Sequence, residues 1–113
     1  MPNILTVGVA QLGPIARRDT RASVVVRLLE LMRQAHASGC KVVTFPEMAL
    51  TTFFPRWMIE DEAEVDSYFE TAMPSAETAP LFEEAGRLGI GFYLGYCELA
   101  FEDGRKRRYN SSV

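Results

Sequence analysis

The chain has 113 residues, of which 48% are apolar and 24% charged, the balance of an ordinary globular domain and not of a disordered or collagen-like chain. Twelve Lys and Arg against fifteen Asp and Glu give a formal charge of -3, so a nucleic acid has no global electrostatic reason to bind. Met1 to Ala16 carries no charged side chain. It has no basic lead-in, however, and Asn3, Gln11 and Pro14 break it, so it fits neither a signal peptide nor a membrane span of ~20 residues, and the reading is cytoplasmic. Cys40 and Cys97 are too few for a stapled scaffold and have no CxxC spacing, which leaves reduced thiols and no structural zinc as the expectation.

In chain order, Ile4 to Ala10 is a β-branched apolar run closed by Gly13-Pro14, the pattern of a strand buried on both faces. Asp19 or Thr20 can cap a helix whose apolar positions Val24, Leu28, Leu31 and Ala35, widened by Val25, Leu29 and Met32, follow helical spacing until Gly39. Val42 to Phe45 then predicts a second buried strand, cut by Pro46. Strand, helix and strand in this order predict a βαβ unit with parallel strands. From Thr51 to Pro80 the pattern is less regular, with the aromatic cluster Phe53, Phe54 and Trp57 and a short helix suggested by Val65, Phe69 and Ala72. Thr78-Ala79-Pro80 opens another helix, with Leu81, Ala85 and Leu88 inward and Gly89 as terminator. Ile90 to Phe101 predicts a third strand, Asp103-Gly104 a hairpin turn, and Lys106 to Val113 an antiparallel return that makes the sheet mixed. A chain closing on Ser111-Ser112-Val113 inside that return reads as the N-terminal piece of a single domain.

Glu47 is the most informative polar residue. It follows a buried strand at the carboxyl end of a parallel sheet, where α/β folds open a crevice for ligands. Position alone allows a general base among apolar neighbours, or a surface glutamate in a strand-to-loop turn. Cys40, at the start of a strand, and Cys97, inside one, read as small buried hydrophobes; the one base next to Cys97 is Glu98, which strand alternation turns to the opposite face. His36, the single histidine, reads as a helix-end cation. Glu62, Asp66 and Glu70 recur every four residues, which on a helix makes an acidic stripe, read as a solvated face in preference to a hard-cation site. The run Arg105 to Arg108 alternates between two faces of a strand and reads as a soluble hairpin edge. Gln11 to Pro14 carries neither GxGxxG nor a Walker lysine, so the usual signature of nucleotide binding is missing.

Taken together, Val7-Gly8-Val9-Ala10-Gln11, Phe45-Pro46-Glu47-Met48-Ala49-Leu50 and Gly89-Ile90-Gly91 with Gly95-Tyr96 resemble the nitrilase superfamily of carbon–nitrogen hydrolases, in order and across essentially the whole chain. More narrowly, Gln11 to Arg17, Leu50-Thr51-Thr52-Phe53-Phe54-Pro55-Arg56-Trp57 and Asp61-Glu62-Ala63-Glu64 look like the N-carbamoyl-D-amino-acid hydrolase branch. The resemblance implies an α/β fold, the α-β-β-α sandwich, of which residues 1–113 would be the N-terminal part of one carbon–nitrogen hydrolase domain. It also implies a Glu-Lys-Cys triad in which Glu47 is the general base, with the lysine and the nucleophilic cysteine beyond Val113. Cys40, Cys97, Lys41 and Lys106 do not match the family positions, so the 113 residues alone are expected to be inactive. Phe53 and Trp57, which follow the base, either wall the substrate pocket or pack in the core. The implied substrate is a small N-carbamoyl-D-amino acid, hydrolysed to the D-amino acid, ammonia and carbon dioxide with no metal or organic cofactor. A homo-oligomer is implied for the full-length protein. The alternatives are another branch acting on a different amide, ureide or nitrile, and a non-catalytic remnant or partner-binding module.

Overall fold

The computed structural model describes residues 2–113. Its elements run β1 (Val7–Val9), α1 (Arg21–Ala37), β2 (Val42–Thr44), a 3-10 turn (Phe54–Arg56), α2 (Glu62–Asp66), α3 (Ala79–Leu88), β3 (Gly91–Tyr93), β4 (Gly95–Glu102) and β5 (Arg105–Ser112). The first three strands form a parallel sheet with β2 in the middle, and Val43 is paired with Gly8 on one side and Phe92 on the other. The βαβ unit expected from the opening 45 or so residues is therefore present.

Of the two candidate caps for α1, Thr20 takes the role. Its hydroxyl accepts from the Ser23 N–H at 3.1 Å, and the Ser23 hydroxyl accepts from the Thr20 N–H at 3.1 Å, a reciprocal capping box. Asp19 instead closes the turn before it, accepting from the Ala16 N–H at 2.8 Å. Val24, Leu28 and Met32 are fully buried on the face that the helical spacing selects, and Gly39 at φ 84° ends the helix. α3 starts with Pro80 in its first turn, buries Leu81 and Ala85, and ends at Gly89 with φ 67°. The two helices are joined by charge as well as by packing. Arg33 of α1 and Arg87 of α3 donate to Glu84 at 2.6 and 2.5 Å, and these hydrogen bonds hold the Glu84 carboxyl below its ordinary range.

Both helices lie on one face of the parallel sheet. Gly8 faces Ala35 and Cys40 there, and Phe92 packs edge-on against Phe82 of α3 with ring centroids 5.1 Å apart. The hydrophobic core, including Leu28, Met32, Val43, Leu81 and Leu94, fills that layer. The opposite face carries Val7, Val9 and Tyr93, exposed to 48%, 86% and 48%. The first strand, expected to be buried on both faces, is thus covered on one only, because among the described residues no element packs on the other.

Two further expectations need correction. The strand expected over Ile90 to Phe101 is split at Leu94, whose side chain is fully buried and whose backbone exchanges hydrogen bonds with Val113. On either side of that anchor the chain belongs to different sheets, β3 to the parallel one and β4 to a two-stranded antiparallel one with β5. The parallel and antiparallel pairings therefore do not share a sheet. The β4–β5 hairpin turns on Asp103 and Gly104, at φ 51° and 73°, the doubly left-handed geometry that an Asp-Gly pair supplies. The second correction concerns the short helix expected through Phe69. α2 stops at Asp66, because Glu70 is drawn into a bridge with β4, donating its N–H to the Cys97 carbonyl at 2.7 Å and accepting from the Leu99 N–H at 2.8 Å.

That bridge also breaks up the acidic stripe. Glu70 is only 5% exposed and paired with Arg21, while Asp66 receives Lys106 and Arg108 of β5, each at 2.7 Å. The expectation of a solvated acidic face fails for Glu70 and Asp66, since basic side chains distant in sequence come to meet them. Lys106 and Arg108 share one face of β5, as strand alternation requires. Their run is less a free hairpin edge than a clasp between β5 and α2.

Candidate active site

The segment after β2 places Glu47. The Phe45 N–H donates to the Tyr93 carbonyl at 2.8 Å, its ring is buried against Phe92, and Pro46 then prevents the strand from continuing. Glu47 comes next, exposed just past the carboxyl end of the central strand. Met48 follows at φ 49°, in the left-handed region that costs a side-chain-bearing residue energy, so the chain turns sharply here.

The turn is laid directly on β4. The Ala49 N–H donates to the Gly95 carbonyl at 3.0 Å, and a Cβ on Gly95 would sit 2.9 Å from the Glu47 Cα and 3.1 Å from the Pro46 carbonyl oxygen. Only glycine permits this approach of two backbones. The hairpin partner of β4 then reaches the same carboxylate: Asn110 of β5 donates from Nδ2 to Glu47 Oε1 at 2.5 Å. In the hairpin register Asn110 lies opposite Cys97.

Glu47 opens onto a groove of about 150 Å³ whose walls include Leu12 and Ile15 from the loop before α1, Met48, Phe53 and Arg56. The loop before α1 is held in place from α1 itself, where Arg27 donates to the Leu12 carbonyl at 2.6 Å. The lining thus combines Glu47, Arg56 and Thr51 with apolar side chains, the mixture found in small-molecule sites.

The residues singled out from the sequence fall in different places. Phe53 lines the groove with Glu47. Trp57 is half-buried beyond it, with the Arg17 and Arg56 guanidinium carbons 5.1 and 5.5 Å from its ring centre. Cys97 is 8% exposed, and its thiol is pushed up to about 11 by burial first and then by the negative charges of Glu47 and Glu70. That environment suppresses a thiolate. Cys40 sits beneath Gly8 at the end of the loop from α1, remote from this groove. His36 lies in the last turn of α1.

No sequence pattern assigns a role to Asn110, Gly95 or Arg56. Arg56 adjoins the aromatic cluster and was accessible in principle. Asn110 carries no local signal, since its meeting with Glu47 depends on hairpin register and on the docking of the turn after β2.

A parallel βαβ sheet with a carboxylate at the carboxyl end of its middle strand, beside a small groove, is the place where α/β folds set their ligand sites. The family model described as carbon-nitrogen hydrolase matches residues 6–113, and the chain belongs to that family, within the nitrilase superfamily. Its fold is accordingly a partial nitrilase-like α/β fold. No helix among the described residues is long and apolar enough to cross a membrane.

Proposed function

We propose that this protein provides the general base of an N-carbamoyl-D-amino-acid hydrolase, and that the base is Glu47. The observation that carries the reading is the carboxylate itself, held by Asn110 on a turn fixed to β4 and open to a groove that also presents Arg56. The branch-like segment Leu50 to Trp57 supplies two walls of that groove, Phe53 and Arg56, which supports the narrower substrate class.

In this mechanism Glu47 takes the proton of a cysteine thiol, and the thiolate attacks the ureido carbonyl. A lysine stabilises the oxyanion of the tetrahedral adduct, since a fixed cation is worth most where charge develops. Glu47 returns the proton to the departing amine as the C–N bond breaks. It then takes a proton from water, which cleaves the covalent intermediate and frees the enzyme thiol. That hydrolysis releases a carbamate, which breaks its remaining C–N bond to lose carbon dioxide and free the second amine, so the net products are the D-amino acid, ammonia and carbon dioxide. Cys97 does not serve as the nucleophile, because burial and two carboxylates oppose its ionisation. The lysine and the nucleophile come from outside residues 1–113, and these residues alone do not turn over substrate.

The test is ammonia release from N-carbamoyl-D-amino acids and their L-enantiomers by the active protein and its Glu47→Gln variant. Loss of turnover with an unchanged circular dichroism spectrum is the expected result. Near-normal turnover by the variant overturns the role of Glu47, and equal use of the L-substrates overturns the D-selective branch.

A further inference from the structure

We propose that Asn110 is a positioning residue for the Glu47 carboxylate, fixing Oε1 so that Oε2 is left for proton transfer. The inference deepens the function proposed above and rests on it.

The geometry begins with the hairpin. β4 and β5 pair without a bulge from Gly95↔Ser112 to Glu102↔Arg105, so residue 110 faces the same side of the ribbon as Cys97, Arg108 and Lys106. The turn bearing Glu47 is docked on the first residue of β4 through the Ala49 to Gly95 hydrogen bond and the close approach at Gly95. These two constraints bring Asn110 Nδ2 to 2.5 Å from Glu47 Oε1, although the residues are 63 positions apart. An ionised carboxylate can only accept, so the amide must present its NH2 end. Among the described residues Oε2 has no hydrogen-bond partner.

The chemistry of the donor matters. Both Glu47 and Asn110 are exposed, and a free glutamate on a turn would sample several rotamers. A base must lie within hydrogen-bond reach of the proton that it takes, so the wandering of an unheld carboxylate lowers the rate of that step. Arg108 or Lys106, on the same face of β5, would hold the carboxylate by an ion pair and compete with its proton. Both are drawn instead to Asp66 at 2.7 Å, which leaves the neutral amide as the group that meets the base.

The contact and its consequence are tested separately. In ¹⁵N-labelled protein the Asn110 side-chain amide resonance, identified by its loss in Asn110→Asp, shifts when Glu47 is replaced by Gln. An unmoved resonance overturns the contact, whatever the activity of the protein. In the active protein, Asn110→Ala lowers kcat by about 10- to 100-fold and leaves KM within about twofold, the signature of a misplaced base. Asn110→Asp, of the same shape at an exposed position, substitutes an acceptor for the donor and falls at least as far. Asn110→Gln, which keeps the amide, recovers part of the loss. An unchanged kcat in the Ala and Asp variants, or an effect confined to KM, overturns the positioning role. If Glu47→Gln is itself active, the proposed function fails, while the resonance shift still reports on the contact; if Glu47→Gln is dead and Asn110→Ala is not, only the present inference fails.

Discussion

Arg21 holds Glu70 by a single nitrogen shared between both carboxylate oxygens, with Nε 2.8 and 2.6 Å from Oε1 and Oε2. Its Nη2 donates to the main-chain carbonyls of Ser67 and Phe69 at 2.6 and 3.2 Å, so one guanidinium closes the segment after α2 and pins it to the start of α1. Glu70 itself is 5% exposed and bridged to β4. Removing one partner of such a pair leaves a buried charge unmatched, which typically costs about 3–5 kcal/mol, whereas replacing both by apolar groups is often neutral. Arg21→Ala should therefore lower the urea midpoint far more than the double change Arg21→Met with Glu70→Leu. Equal midpoints for the single and double variants would sink this account.

The same pair makes stability depend on pH in an unusual direction. Burial pushes the Glu70 carboxyl above its ordinary range, and Arg21 offsets this only in part. An acid that is harder to ionise in the folded state contributes stability below its unfolded pKa and loses it as pH rises through the folded one. Asp66 does the opposite. Hydrogen bonds from Lys106 and Arg108 hold its carboxyl below the ordinary range, so its contribution is present above the unfolded pKa and lost as pH falls through the folded one. Urea midpoints measured between about pH 3 and 7 should lose part of their decline at the upper end in Glu70→Gln. The acid-side decline should shrink in Asp66→Asn. The reverse assignment of the two limbs would refute both.

The reach of sequence reasoning follows from the range of the interactions involved. Thr20, Gly39, Pro80, Gly89 and Asp103-Gly104 act on their own backbone or on residues three or four away, and each does what its local chemistry dictates. Glu47 was legible because Pro46 ends the strand next to it. The split at Leu94 was not, since apolar character is shared by β3 and β4 and only burial of Leu94 between two sheets separates them. Glu62 and Asp66 keep their helical spacing in α2, but Glu70 leaves it, because its backbone pairs with β4. Asn110 and Arg21 find their carboxylates 63 and 49 residues away, distances at which no spacing rule applies.

Cys97 offers a direct check on the electrostatics around Glu47. Its thiol, raised from 9.0 to about 11, has about 100-fold less thiolate at neutral pH than an ordinary cysteine, and labelling proceeds through the thiolate. Iodoacetamide should modify Cys97 in the folded protein at least about 100-fold more slowly than in urea, with burial slowing it further. Peptide mapping after timed quenching separates it from Cys40. Labelling of Cys97 at the rate of an unfolded thiol would show that neither the burial nor the nearby carboxylates act as described.

Gly95 is where fold and site depend on one atom that is not there. A methyl group at this position would meet backbone atoms on the far side, 2.9 Å from the Glu47 Cα and 3.1 Å from the Pro46 oxygen, and neither can rotate away as a side chain would. The turn has to lift, which stretches the Ala49 to Gly95 hydrogen bond and draws Glu47 away from Asn110. Overpacking of this kind costs about 1–3 kcal/mol. Displacing a base by about 1 Å costs up to about 10²-fold in rate. Gly95→Ala should accordingly reduce kcat of the active protein by more than its loss of stability suggests. Gly86→Ala is the control, since an added Cβ there meets nothing within 4 Å. The Asn110 side-chain amide resonance should move in Gly95→Ala as it does when Glu47 is changed. A Gly95→Ala protein with normal kcat and an unmoved resonance would mean that the turn tolerates the methyl group and that its docking on β4 does not place the carboxylate.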